Sequence, residues 1–146
     1  MVQVHPNSRN VIPGQVKFSI DLRNATDADC EAMDADIRAV ADRISRETGL
    51  PIAINLVSSY PAQPFHADCV DAVARAAKAL GYSHMPVVSG AGHDAVYMAR
   101  LAPAGMVFIP CKDGISHNEI EDATPADITA GCNVLMHAML ERARVL

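Results

Sequence analysis

An α/β fold is expected from three features of this sequence. A strictly alternating segment, "QVKFSIDL" at 15–22, leads into a long stretch whose apolar residues recur at helical spacing. Beyond residue 60, segments of helical period alternate with short apolar runs that lack a period of two, as when helices cover a sheet. Half of the 146 residues are hydrophobic and a fifth are charged, which supplies a core and argues against disorder. Taken in order, the elements predict an α+β first part followed by an α/β layer.

"VQVH" at 2–5 is a short first strand, and "PNSRNVIPG" after it is a turn punctuated by proline and glycine. In the next segment Val16, Phe18, Ile20 and Leu22 share one face, opposite Gln15, Lys17, Ser19 and Asp21. That alternation predicts a half-buried antiparallel strand. Thr26 with Asp29 three residues on resembles a capping box. Cys30, Met33, Ile37, Val40 and Ile44 then form one apolar helical stripe, ended by Gly49 and Pro51. "PIAINLVS" at 51–58 predicts a third strand. The order β-β-α-β over residues 1–59 is most of a ferredoxin-like unit without its first strand and helix.

"SSYPAQPFHA" is a proline-interrupted linker and sets the boundary before a second domain, residues 60–146. Its pattern predicts a helix at 68–80 stopped by Gly81, a strand near 84–88, a helix at 94–101 and a strand at 105–110. A long loop and a helix at 125–143 follow, the helix marked by Thr124 as N-cap, Pro125 at the first position and Asp127 in the first turn. "GMVFIP" is apolar without alternation, as a strand covered on both faces should be.

A net charge of −5 without a basic run disfavours nucleic acid as a partner. No apolar run is long enough to span a bilayer and no signal peptide opens the chain, so a cytoplasmic location away from membranes is expected. The four cysteines, Cys30, Cys69, Cys111 and Cys132, show no CxxC spacing and read as small hydrophobes, three of them buried on helices. Cys111 closes a strand near the long loop with only Lys112 and Asp113 beside it, and reads as structural.

Ligand sites in open α/β sheets gather at the carboxyl ends of strands. "VVSGAGHDA" has that form: its glycines, Gly92 among them, permit close backbone approach, and His93 and Asp94 stand at a helix start that favours an anion. "IPCKDGISHNE" repeats the arrangement and places His117 beyond the neighbouring strand. Parallel neighbours would bring both loops to one edge. A shared metal or acid/base site is one reading of the pair, and two ordinary histidines the other. His5, His66, His84 and His137 lack these surroundings and read as structural or solvated. Arg23, at a strand end, is either a bidentate clamp for a carboxylate or a solvated surface charge.

"PNSRNVIPG…FSIDLR", "SGAGHDAVYMA", "MVFIPCKDGISHNE" and "EDATPADITAGCNVL" together resemble metal-dependent amidohydrolases of the hydantoinase/carbamoylase type. That group contains N-carbamoyl-L-amino acid hydrolases, β-ureidopropionases and allantoate amidohydrolases, within the M20 metallopeptidase-like superfamily. The resemblance implies a catalytic α/β domain with a dinuclear zinc or manganese site and an inserted ferredoxin-like lid that forms a homodimer. It implies that residues 1–59 are the second half of the lid, and residues 60–146 the C-terminal segment of the catalytic domain. His117 is implied as a metal ligand, His93 as a catalytic group at the substrate, and Asn10 and Arg23 as binders of the substrate carboxylate across the dimer. It also implies that the N-terminal catalytic region, with the other metal ligands and a glutamate base, lies outside this chain. The activity implied for the intact enzyme is hydrolysis of a carbamoyl or ureido C–N bond, not a peptide bond, of a small ureido acid. The alternative is a non-enzymatic module that dimerises or binds a small carboxylate.

Overall fold

Alternation of side chains becomes a strand only where a neighbour accepts its backbone hydrogen bonds. "VQVH" and the start of "QVKFSIDL" satisfy that condition for each other. β1 (Val2–His5) pairs antiparallel with β2 (Gln15–Phe18) in the register Val2↔Phe18, Gln3↔Lys17, Val4↔Val16 and His5↔Gln15. The loop between them is closed by the Gly14 N–H, which donates to His5 O at 2.9 Å. The ladder stops at Phe18 rather than Leu22, because β1 has no residues opposite Ile20 and Leu22. The expected burial is also absent: Val16, Phe18 and Ile20 are each more than half exposed.

This computed structural model describes residues 1–144 and divides into two units, Met1–Ala62 and Gln63–Leu146. In the first, α1 (Asp27–Thr48) follows the hairpin. Thr26 caps it by accepting the Asp29 N–H at 3.1 Å and donating its hydroxyl to Asp29 Oδ2 at 2.7 Å. At the other end Gly49 adopts φ 73°, the left-handed conformation that glycine reaches without strain, and donates to Ser45 O. The predicted apolar stripe is present but unsealed. No residue of α1 is buried, and Val40 and Ile44 are exposed. "PIAINLVS" forms no strand, since no other segment among the described residues pairs with it.

The second unit is built on α2 (Ala67–Ala79) and α4 (Pro125–Arg142), with the short α3 (Asp94–Ala99) between them in sequence. Ala72, Ala76 and Ala77 of α2 cluster with Val134 and Ala138 of α4, and these five are the buried hydrophobic residues among those described. Small side chains on both helices permit this close approach. Val73, Leu80, Tyr82 and Val107 pack around the cluster, partly buried. Arg75 and Glu141 bridge the two helices at 2.5 Å, and Arg142 reaches Asp68 at 3.5 Å.

The apolar run 105–110 is pinned between these helices by two glycines. A Cβ on Gly105 would lie 3.0 Å from Cys69 Cβ, and one on Gly131 would lie 2.5 Å from Ile109 Cγ2. The run nevertheless forms no ladder, and neither does 84–88, so the two strands expected here are extended segments without a pairing partner among the described residues. Phe108 remains 48% exposed, which contradicts a strand covered on both faces. α3 ends at Ala99 instead of residue 101 because Pro103 disfavours helical geometry at Ala102.

The cysteines also depart from expectation. None is buried, and Cys132 is exposed on the outer side of α4. There it lines a shallow apolar groove with Leu135, Met136, Met139 and Leu140. α4 is therefore apolar on two sides, of which α2 covers one. Among the described residues no helix is long and apolar enough to cross a membrane.

Candidate functional site

Two histidines begin helices in the Gln63–Leu146 unit, and only one uses its ring on the helix. His66 caps α2, its Nδ1 accepting the Asp68 N–H at 3.2 Å. His93 occupies the same position before α3, with extended backbone (φ −131°, ψ 146°), yet makes no side-chain cap. Its Nε2 lies 2.7 Å from Ser89 Oγ, which in turn accepts the Ala91 N–H at 3.2 Å. The "SGAGH" turn thus folds back on itself and joins residues four apart. On another side the His93 ring meets Phe108 edge-on, with centroids 5.4 Å apart and planes at 63°. Phe108 belongs to the run pinned between α2 and α4, so the small core reaches His93 through one aromatic contact.

Gly92 lies beside this ring with open space around it, for a Cβ there would meet no atom within 4 Å. No contact among the described residues demands glycine at that position. The anion-binding helix start expected here is weaker than the sequence suggests. α3 has only six residues, and Asp94 already places a carboxylate in its first turn.

His117 stands in a loop held by carboxylate and amide side chains. Its backbone is left-handed at φ 55°, as is that of Asp113 at φ 56°. Such conformations cost on the order of 1 kcal/mol each and persist where neighbours enforce them. For His117 the enforcing group is Glu121, whose Oε2 accepts the His117 N–H at 2.8 Å while its Oε1 lies 4.0 Å from Cys111 Sγ. Asn118 Oδ1 accepts the Ile120 N–H at 3.1 Å, and the Lys112 N–H donates to Asp122 O at 2.7 Å across the base of the loop. The imidazole of His117 is left exposed at the loop surface.

Among the described residues no hydrogen bond, ion pair or ring contact joins His93 to His117. No three His, Cys, Asp or Glu side chains among them converge as a metal site either. An imidazole is an apt ligand, but tight zinc sites use three or four protein donors. His117 fits as one donor of such a set and no more.

In the Met1–Ala62 unit, Asn10 Oδ1 accepts the Ser8 hydroxyl at 2.8 Å. Arg23 grips the carboxylate of Asp21: Nε lies 3.2 and 3.1 Å from its two oxygens, and Nη2 is 2.6 Å from Oδ2. This hydrogen bonding, reinforced by charge, holds the Asp21 carboxyl below the usual carboxylate range and raises Arg23. The guanidinium is thus already in the forked geometry a carboxylate requires, with side chains 59% and 67% exposed.

Sequence reasoning named the histidines and Arg23 but not the residues that hold them, Ser89, Phe108, Glu121 and Asp21. Spacing carried part of the signal. Ser89 is four before His93 across a Gly-Ala-Gly turn, and Glu121 is four after His117.

Comparison with known proteins shows what this chain is similar to. Residues 6–141 match the pattern of peptidase family M20/M25/M40. An N-carbamoyl-L-amino-acid amidohydrolase of Rhizobium meliloti is 45% identical over 97% of this chain and 34% of its own length. An allantoate amidohydrolase of Bacillus subtilis is 33% identical, over 92% of this chain and 32% of its own length. The crystal structure of an amidase of the hydantoinase/carbamoylase family from Burkholderia multivorans superposes with a TM-score of 0.94 at 56% identity, over 98% of this chain and 35% of that one. The chain spans about a third of the length of these relatives.

Proposed function

The chain belongs to peptidase family M20/M25/M40, and from that premise we propose that it is one part of an amidohydrolase. The reaction is hydrolysis of the carbamoyl or ureido C–N bond of an N-carbamoyl amino acid or a related ureido acid. The observation that carries this reading is the His93 ring, held by Ser89 and Phe108 beside open space at Gly92. It stands in a chain similar along nearly its whole length to proteins named for ureido substrates.

In this reading each unit has its own task. In the Gln63–Leu146 unit, His93 hydrogen-bonds the reacting ureido group and supports charge that develops on it, while Gly92 keeps the approach clear of side chains. His117 supplies one ligand to a divalent metal, zinc or manganese, whose other ligands come from outside the described residues. A metal held there supplies Lewis-acid polarisation of a carbonyl and activation of water. Glu121 fixes the His117 backbone so that the imidazole faces outward.

In the Met1–Ala62 unit, Arg23 and Asn10 receive the free carboxylate of the substrate. Arg23 does so by exchanging the Asp21 carboxylate for that of the ligand, an exchange of like for like in its forked geometry. The assembly that this requires is a cytoplasmic homodimer formed through the Met1–Ala62 unit.

The test is reconstitution. The chain is co-produced with the N-terminal two thirds of the Rhizobium meliloti relative, purified as a complex and supplied with zinc or manganese. Release of the free amino acid from an N-carbamoyl-L-amino acid, abolished by His117→Ala, is the expected result. Cleavage of a dipeptide with no action on ureido acids would contradict the proposal.

A further inference from the structure

A backbone amide can only donate, so the Ala91 N–H at 3.2 Å occupies a lone pair of Ser89 Oγ. The Ser89 hydroxyl proton then has one protein acceptor among the described residues, Nε2 of His93 at 2.7 Å. Donation there requires that Nε2 carry no proton. We propose that Ser89 is a positioning residue for His93, holding the neutral imidazole in the tautomer protonated on Nδ1.

Three observations make this more than a surface hydrogen bond. His93 is free of the capping task that occupies His66 in the same position of α2, so its ring is held by Ser89 instead. Phe108 fixes the plane of the ring from a second direction. Nδ1 has no hydrogen-bond partner among the described residues, so a proton placed there is a donor available to a ligand. The Gly-Ala-Gly spacing between Ser89 and His93 gains a purpose as well, since it is the turn that brings hydroxyl and imidazole together.

The catalytic part of this inference rests on the proposed role of His93 at the substrate, but the tautomer does not, and two experiments separate them. Two-bond proton–nitrogen correlation spectra of the full chain, with His93 assigned through His93→Gln, read the tautomer directly at neutral to mildly alkaline pH. The expected wild-type pattern is protonation on Nδ1. Ser89→Ala shifts it toward Nε2 protonation, and Ser89→Thr, which keeps the hydroxyl, restores it. A wild-type ring protonated on Nε2 overturns the proposal even if Ser89→Ala fails to fold. An unchanged pattern in a folded Ser89→Ala variant overturns it equally.

In the reconstituted enzyme, Ser89→Ala is expected to lower kcat by about tenfold or more with KM little changed, the scale of losing a group that orients an imidazole, with recovery in Ser89→Thr. An Nδ1 tautomer without any ureido hydrolysis would leave Ser89 as the holder of His93 and overturn its part in that reaction.

Discussion

The two units differ in what holds them together. In Met1–Ala62 the caps, the hairpin register and the helix end are all in place, yet no side chain is buried among its residues. In Gln63–Leu146 the same capping chemistry appears at Thr124, and five small side chains are sealed between α2 and α4. Local signals act over a few residues and are satisfied by the segment itself. A core needs a second surface, and among the described residues only α2 and α4 supply one to each other. At the candidate sites, Arg23 grips the Asp21 carboxylate two residues away, and His93 is held both by Ser89 four residues away and by Phe108, which the packing of its unit delivers.

The sharpest way to break this comparison is a charge placed in each unit. Ala72 is fully buried, so Ala72→Asp is expected to cost about 3 kcal/mol or more, because an unpaired carboxylate would be left in an apolar contact. Val40→Asp, on the open stripe of α1, is expected to cost about 1 kcal/mol or less. Urea unfolding followed by amide exchange resolved for each unit measures both, and equal losses would remove the distinction.

Next in size is Gly131→Ala. The added Cβ would meet Ile109 Cγ2 at 2.5 Å, and a β-branched side chain cannot swing its methyl aside cheaply. Overpacking of about 1–3 kcal/mol is expected to outweigh a helix-propensity gain of about 1 kcal/mol. The shift should also disturb the Phe108 contact and therefore the His93 signals. A stabilised variant with unchanged His93 signals would show that the core does not reach the site.

How much of this was legible in the sequence depends on the range of the interaction. Thr26, Gly49, Thr124 and Pro125 announced the ends of α1 and the start of α4 because a cap is made by residues within a turn of each other. The segments 51–58, 84–88 and 105–110 have strand composition, but a ladder is a property of two segments, and no partner for them exists among the described residues. Cys132 looked like a core position because helical spacing identifies an apolar face without saying what covers it. His93 and His117 stood out by their surroundings. Ser89 and Glu121 did not, because a hydroxyl or carboxylate four residues away reveals its role only once the turn is folded.

Caps give a smaller and more even test. Thr26→Ala and Thr124→Ala each remove an oxygen that accepts a first-turn N–H, and each is expected to cost about 1 kcal/mol. The loss from Thr26 should appear as fraying of α1 alone. A global loss from Thr26→Ala would mean that the first unit is as cooperative as the second.

The smallest effect is electrostatic. Arg75 holds the Glu141 carboxyl below its ordinary value through a hydrogen bond first and charge second, so the folded state binds that proton less readily than the unfolded chain. The stabilisation is therefore present above the ordinary carboxylate range and lost as pH falls through the lowered value. Glu141→Gln should flatten the acid limb of the stability profile slightly, and the same limb unchanged would mean that the bridge between α2 and α4 contributes nothing.

The proposed division of labour between the units is tested most directly at Arg23. In the reconstituted enzyme, kcat/KM is measured for wild type and Arg23→Ala on an N-carbamoyl amino acid and on its carboxamide, which lacks the negative charge. The expected result is a loss of about a hundredfold or more on the acid, the scale of a charge-assisted bidentate contact removed from a binding site, and a much smaller loss on the amide. Equal losses on the two substrates would contradict it, and would leave Arg23 as a partner of Asp21 that supports the unit rather than the substrate.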